Sequence, residues 1–152
     1  VSEHRLPGPC YVWSASTGGG NPVSCAAALA TLDVFAEPGV YPRLHAAGAR
    51  LRQLMREALA AAGEVAQVLG DGPLAQVAFS AQPVIDQATW LASDRARGRR
   101  LMLELLRGGV FLNPMGTKLY LSLAHDETAV GEFAARLAGA LAALQRAVGS
   151  GD

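Results

Sequence analysis

Apolar residues recur along this chain with two periods, one typical of helices and one typical of strands. The first helical stretch covers about residues 23–36 and is apolar on nearly every side. A helix of that kind needs protein contacts all round its surface. The pattern therefore predicts a helix covered by other protein, in which Cys25 is a small buried residue.

The second predicted helix, about residues 42–62, has an apolar stripe and a charged face. The stripe consists of Leu44, Leu51, Leu54, Met55, Ala58 and Leu59. The opposite face carries Arg43, Arg50, Arg52, Arg56 and Glu57. Charges gathered on one face of a helix are usually solvated, so we expect these five side chains to point into water.

Two further helices are predicted at about residues 94–107 and from residues 126–128 to 148. Gly108 and Gly109 are expected to stop the first of them as a C-cap. Its core positions are Leu101, Met102, Leu105 and Leu106. Those of the last helix are Val130, Phe133, Ala134, Leu137, Leu141 and Leu144.

Four shorter stretches alternate as strands do: residues 65–69, 74–79, 110–112 and 118–123. The first two flank Gly70-Asp71-Gly72-Pro73 and form a predicted hairpin. Trp90 and Leu91 are expected to anchor the connection that follows, residues 81–92, to the core. The order of elements predicts an α+β fold in which helices cover one face of a small, mostly antiparallel sheet.

Composition and charge limit the classes of protein to which this chain can belong. The chain has 152 residues and is 51% hydrophobic, which suits one globular domain. Thirteen basic residues balance thirteen acidic ones without a basic cluster, so no nucleic-acid partner is expected. No apolar run approaches the roughly 20 residues of a membrane span, and no leader pattern opens the chain. We therefore expect a cytoplasmic location and no membrane partner.

Candidate chemistry concentrates just before the first helix. Ser16 and Thr17 precede three consecutive glycines, and Pro22 opens the helix. Glycines let the backbone approach a ligand, and a helix N-terminus offers free amides and partial positive charge. The stretch therefore predicts a phosphate site, with a plain loop that enters the helix through Pro22 as the alternative.

Three phrases of the chain resemble, in the same order, segments of the class III pyridoxal-phosphate aminotransferases. The phrases are Ser16-Thr17-Gly18-Gly19-Gly20-Asn21-Pro22, Leu106-Arg107-Gly108-Gly109-Val110-Phe111-Leu112-Asn113-Pro114 and Tyr120-Leu121-Ser122-Leu123-Ala124-His125. The likeness, which is close to the glutamate-1-semialdehyde aminomutases of that family, spans residues 8–144. It implies the C-terminal small domain of a pyridoxal-phosphate-dependent transferase. The predicted parts are an extended arm with the phosphate-contact loop (1–22), the small domain (23–148) and a frayed tail (149–152).

The resemblance implies that Ser16, Thr17 and Gly18 bind the phosphate of pyridoxal 5'-phosphate, with a contact that crosses the interface of a homodimer. It also implies a small-molecule amino donor and acceptor, and packing against the remainder of the same enzyme. The chain departs from the family at Gly18, where a larger residue is usual. It departs again at residues 115–118, where aminomutases usually carry a Phe-Glu pair. The substrate, and the choice between aminotransferase and aminomutase, therefore stay open.

Pyridoxal-phosphate chemistry needs a lysine that holds the cofactor as a Schiff base. Lys118 is the only lysine, and it stands outside the family's lysine motif, where an exposed strand edge is expected. The chain alone is therefore expected to be inactive, and no catalytic residue is predicted in it. His125 is expected to bond a turn or cap the last helix. No metal site is predicted, because metal-ligand spacing is lacking among His4, His45, Cys10 and Cys25.

Two functions remain from the sequence. In the first, the chain is the C-terminal portion of a pyridoxal-phosphate-dependent aminotransferase or aminomutase and supplies cofactor-phosphate contacts and part of the active-site wall. In the second, it is a free-standing, non-catalytic binding or assembly module with the same fold. A lysine motif upstream of Val1 would favour the first function, and a start codon at Val1 would favour the second.

Overall fold

The structure, a computed structural model, describes residues 18–112 and 117–149, with the side chains of residues 147–149 excepted. The chain divides into two compact units, Val1–Pro38 and Gly39–Asp152. The predicted arm, residues 1–12, and residues 150–152 of the predicted tail lie outside the described residues.

Helix α1 (Pro22–Ala36) belongs to the first unit. It begins there because the Asn21 side chain accepts hydrogen bonds from two amides of the first turn, at 2.9 and 3.3 Å. By itself the helix buries none of its side chains, and Cys25 is exposed. The helix prediction is confirmed. The expectation of a buried Cys25 is wrong for this helix, because no second element within residues 18–38 covers it.

The second unit combines helices with a small sheet. Its described helices are α2 (Val40–Ala61), α3 (Gln87–Leu91), α4 (Arg95–Arg107) and α5 (Glu127–Gly149), and its described strands are β1 (Gln67–Leu69), β2 (Leu74–Ala78) and β3 (Lys118–Tyr120). The strands lie in the order β1-β2-β3, and both pairs are antiparallel. The predicted α+β class is therefore confirmed. No single helix among the described residues is long and apolar enough to cross a membrane, although α1 and α2 meet that criterion as a pair.

The hydrophobic core lies on one face of the sheet, between the strands and helices α2, α4 and α5. Its fully buried side chains are Leu51, Met55, Leu101, Leu105, Leu137, Leu141 and Leu144. These are central positions of the predicted helical stripes, which are thereby confirmed. Leu91 and Leu106 were predicted to contact the core, but they are 52% and 50% exposed. Leu106 follows buried Leu105 by one residue, so it lies about 100° further round the helix.

The predicted strands are longer than those of the structure, in which β1 begins at Gln67 instead of residue 65 and β2 ends at Ala78 instead of residue 79. Residues 110–112 do not form a strand, because the N–H of Val110 donates to the carbonyl of Leu105 at 2.8 Å and so closes the end of α4. Gly109, with a φ of 81°, makes that closure possible, as the predicted C-cap required. The strand predicted at residues 118–123 ends at Tyr120, three residues early.

Arg52 is the largest departure from the predicted charged face of α2. It is only 8% exposed, and its Nη1 donates to the carbonyls of Gly72 at 2.6 Å and Leu74 at 2.8 Å. Gly72 lies in the hairpin turn, which approaches α2 closely at Gly48, and Leu74 is the first residue of β2. The expectation that Arg52 points into water is wrong, because the guanidinium supplies donors that turn carbonyls need inside a protein.

Glu64→Gln is expected to lower the free energy of unfolding by about 1 to 2 kcal/mol, because glutamine lacks the negative charge and offers one acceptor oxygen to the guanidinium of Arg97 instead of two. The Glu64 side chain is 5% exposed and pairs with Arg97, whose Nε and Nη2 donate at 2.8 and 2.5 Å. Hydrogen bonding to Glu64 raises the pKa of Arg97. Urea denaturation measures the effect. The control is Glu104→Gln, whose partner Arg107 is 73% exposed, and we expect a change below about 0.5 kcal/mol.

Candidate functional site

The glycine loop, residues 18–20, forms an exposed turn immediately before α1. The N–H of Asn21 donates to the carbonyl of Gly18 at 3.1 Å and closes the turn. Gly20 has a φ of 75°, in the left-handed region that favours glycine. A β-carbon built at Gly18 would meet no described atom within 4 Å. On the part of the chain that the structure describes, nothing fills the space beside Gly18, and a ligand can approach the loop backbone there.

The first turn of α1 offers fewer free donors than a bare helix end. The Oδ1 of Asn21 accepts hydrogen bonds from Val23 at 2.9 Å and from Ser24 at 3.3 Å, and Pro22 has no N–H. An anion here would therefore meet the amides of the glycine loop before those of the helix. The first turn of α1 carries no acidic side chain, so nothing there opposes the positive end of the helix dipole.

Asn21 is the residue of this site that the sequence reasoning missed. Asparagine is among the strongest N-cap residues, and its position directly before a helix-starting proline was the available signal. Its role is to complete the helix end, which leaves the glycine loop and the residues before it as the ligand-facing part.

Of the three predicted phosphate contacts, only Gly18 is described, and it lies in the exposed turn. Ser16 and Thr17 lie outside the described residues, as do His4 and Cys10. The assignment of Ser16, Thr17 and Gly18 to a phosphate therefore stays a prediction.

For Lys118 and His125, two of the other candidate residues, the structure shows the surroundings that the sequence predicts. Lys118 is exposed on the edge strand β3, as predicted. The Nδ1 of His125 accepts the N–H of Ser122 at 3.0 Å and lies 3.0 Å from its hydroxyl oxygen. His125 thus holds the turn before α5, which confirms the structural interpretation. Among residues 18–112 and 117–149, no group of three His, Cys, Asp or Glu side chains could hold a metal ion.

Comparison with known sequences finds one family over most of the chain. The sequence profile of aminotransferase class-III matches residues 5–129. The glutamate-1-semialdehyde 2,1-aminomutase of Desulforudis audaxviator is 40% identical over 129 residues, which cover 84% of this chain and 29% of that enzyme. The enzyme of the same name from Thermomicrobium roseum is 38% identical over 79% of this chain and 28% of its own length. The chain thus spans less than a third of the length of these curated relatives.

Solved structures show the same fold over a similar share. A structure described as a transaminase with PLP bound superposes with a TM-score of 0.71 at 26% identity, over 88% of this chain and 30% of that one. An omega-transaminase from Sphaerobacter thermophilus superposes with a TM-score of 0.73 at 26% identity, over 88% of this chain and 31% of that one. Both similarities agree with the predicted helix-covered antiparallel sheet.

Proposed function

Because this chain belongs to the class III aminotransferase family, we propose that it forms the C-terminal portion of an aminotransferase or aminomutase that moves an amino group by means of pyridoxal 5'-phosphate. The extent of the match carries the proposal. Residues 5–129 fit the family, yet the chain covers only 29% of an aminomutase that is 40% identical to it. Lys118, the only lysine, is exposed on β3, so the lysine that holds the cofactor is expected beyond this chain.

The family's cofactor is pyridoxal 5'-phosphate, and the glycine loop is suited to its phosphate. The loop is exposed, a β-carbon at Gly18 would meet no described atom within 4 Å, and the helix end that follows has no acidic side chain in its first turn. In this proposal the hydroxyls of Ser16 and Thr17 and the amide of Gly18 hold the phosphate. When bound, the cofactor supplies the electron sink for the amino-acid carbon whose bonds change. The chain binds and orients it and forms part of the active-site wall.

The proposal includes the partners of this segment. In α1 as described, Val23, Leu29 and Leu32 are 77%, 63% and 60% exposed. Large apolar side chains exposed on several sides of one helix favour a contact with other protein. We infer that the remainder of the same enzyme and a second subunit cover it, and that the phosphate contact crosses the homodimer interface. The substrates would be a small-molecule amino donor and acceptor, and the location the cytoplasm.

The protein made from the complete reading frame tests this proposal. We expect a lysine motif upstream of Val1 and a purified protein with the visible absorbance of lysine-bound pyridoxal phosphate. Borohydride reduction should then fix the cofactor to that lysine, as measured by intact mass. A start codon at Val1, with a protein that does not take up the cofactor, would support the free-standing binding or assembly module instead.

Gly20→Ala in the intact enzyme is expected to raise the dissociation constant for pyridoxal phosphate by up to about tenfold, because alanine disfavours the left-handed φ by roughly 1 kcal/mol. Gly18→Ala is the matched control. It keeps the backbone amide and has open space for a methyl group, so we expect a change of less than about twofold. Equilibrium titration of the cofactor-free enzyme measures both constants. Equal effects of the two substitutions would contradict the proposed role of the loop conformation.

A further inference from the structure

The sheet of the second unit has two faces of different character. Ala75 and Val77 of β2 belong to the hydrophobic core. Successive residues of a strand point to opposite sides of the sheet, so the residues of β2 that alternate with Ala75 and Val77 lie on the other face. The residues of β1 and β3 that pair with them lie on that face as well. We call part of that side the open sheet face, which consists of Leu74, Gln76, Lys118 and Tyr120.

One end of this side of the sheet is covered by a segment of the same chain. Gln67 pairs with Ala78 in the sheet, and its Nε2 donates to the carbonyls of Ser80 at 3.0 Å and Gln82 at 2.6 Å. These bonds hold the segment after β2 beside the sheet, and Ala78 is only 1% exposed. At the opposite end, where β2 pairs with β3, the side chains remain open.

The open sheet face combines exposed apolar area with one exposed cation, Lys118. Leu74 and Tyr120 are register partners and are 44% and 58% exposed. Gln76 and Lys118 form the adjacent register pair, and the buried Nε2 of Gln76 has no hydrogen-bond partner among the described residues. None of the described strand residues on this side carries a carboxylate. The exposed ammonium group of Lys118 therefore has no carboxylate beside it on the described strands of this face, and an acidic side chain on a covering polypeptide would complement its charge.

We propose that the open sheet face packs against the rest of the enzyme, and that the covering polypeptide places an acidic side chain against Lys118. This inference rests on the proposed function. The chain covers between 28% and 31% of the two aminomutases and two transaminase structures compared above, so more than two thirds of each lies outside the matched part. A second copy fits less well, because a symmetric contact through this face would bring two Lys118 ammonium groups near each other.

Two matched tyrosines provide the first test. Tyr120 lies on the open sheet face and is 58% exposed, whereas Tyr41 lies on α2 and is 55% exposed. In the protein from the complete reading frame, nitration of Tyr120 should be at least about tenfold slower than that of Tyr41, because a covered ring reacts only when the contact opens. Each rate is divided by that of the same residue in urea. Equal normalised rates would overturn the proposal.

Lys118 provides the second test. It is the only lysine of this chain, so acetylation of the peptide that contains it measures this side chain alone. We expect its acetylation to be slow in the intact protein, to be unaffected by added succinate, and to stay slow when dilution dissociates any dimer. Protection that appears only with succinate would identify a carboxylate ligand and would overturn the acidic side chain. Protection that is lost on dilution would identify a second copy and would overturn the proposed occupant.

Charge reversal at Lys118 distinguishes contact with an acidic side chain from contact with uncharged protein. Lys118→Glu should lower the melting temperature of the intact protein more than Lys118→Met, and added salt should reduce the difference. Equal melting temperatures would rule out the acidic contact. The visible absorbance of the same samples reports the proposed function separately. Bound cofactor with freely nitrated Tyr120 would refute only the docking surface, and protected Tyr120 without cofactor would refute only the aminotransferase proposal.

Discussion

Gly48→Ala is expected to lower the free energy of unfolding by about 3 kcal/mol or more. A β-carbon at Gly48 would lie 1.9 Å from the carbonyl oxygen of Gly72, far inside van der Waals contact. The β-carbon would be fixed to the backbone of α2 and the oxygen belongs to the backbone of the turn, so relief requires α2 and the hairpin turn to separate. Separation would also weaken the hydrogen bonds of Arg52 to Gly72 and Leu74. Overpacking costs about 1 to 3 kcal/mol, and lost bonds to a charged group add about 1.5 kcal/mol or more.

The control for this prediction is Gly139→Ala in α5. Gly139 is also a helical glycine, but a β-carbon there would meet no described atom within 4 Å. Alanine should therefore raise the free energy of unfolding by about 0.5 to 1 kcal/mol through helix propensity alone. Urea denaturation followed by circular dichroism measures both variants. If Gly48→Ala were as stable as Gly139→Ala, the close approach of α2 to the turn would be wrong.

The long helices were predictable because their apolar periods can be counted over several turns, whereas the five-residue α3 lies in residues 81–92, which were expected to be a connection. The apolar stripe around Leu51 in α2 and around Leu137 in α5 extends over several turns, and both residues are buried. Strand ends were less predictable, since β1 and β3 contain three residues each and an alternation of that length does not define its own limits. Burial of Arg52 depends on the carbonyls of a distant turn, which no local pattern in α2 reveals.

The candidate site was predictable in composition and only partly in geometry. Glycine at position 20 is consistent with a left-handed backbone, and the structure has a φ of 75° there. The occupied amides of the first turn of α1 were not anticipated, because the capping role of Asn21 was not considered. The Nε2 of Gln76 has no hydrogen-bond partner in the part of the chain that the structure describes. Its position depends on strand register, which is a tertiary property.

Thr17→Ala in the intact enzyme is expected to raise the dissociation constant for pyridoxal phosphate about tenfold to a hundredfold. A hydrogen bond from a hydroxyl to a charged phosphate contributes about 1.5 to 3 kcal/mol, and each 1.4 kcal/mol corresponds to a factor of about ten in affinity. The hydroxyl matters here because Asn21 already occupies two amides of the first helical turn. The fold and the attachment of the cofactor to its lysine should be unchanged.

Thr17→Ser is the matched control for the loss of the hydroxyl. It keeps the donor and removes only a methyl group, so its dissociation constant should stay much closer to that of the unmodified enzyme. Because the contact is expected to cross the dimer interface, the defect of Thr17→Ala should be complemented in mixed dimers, where an intact Thr17 serves the neighbouring site. Equilibrium titration of the cofactor-free enzyme measures all three forms. If Thr17→Ala bound the cofactor as tightly as the unmodified enzyme, the glycine loop would be only a connection into α1.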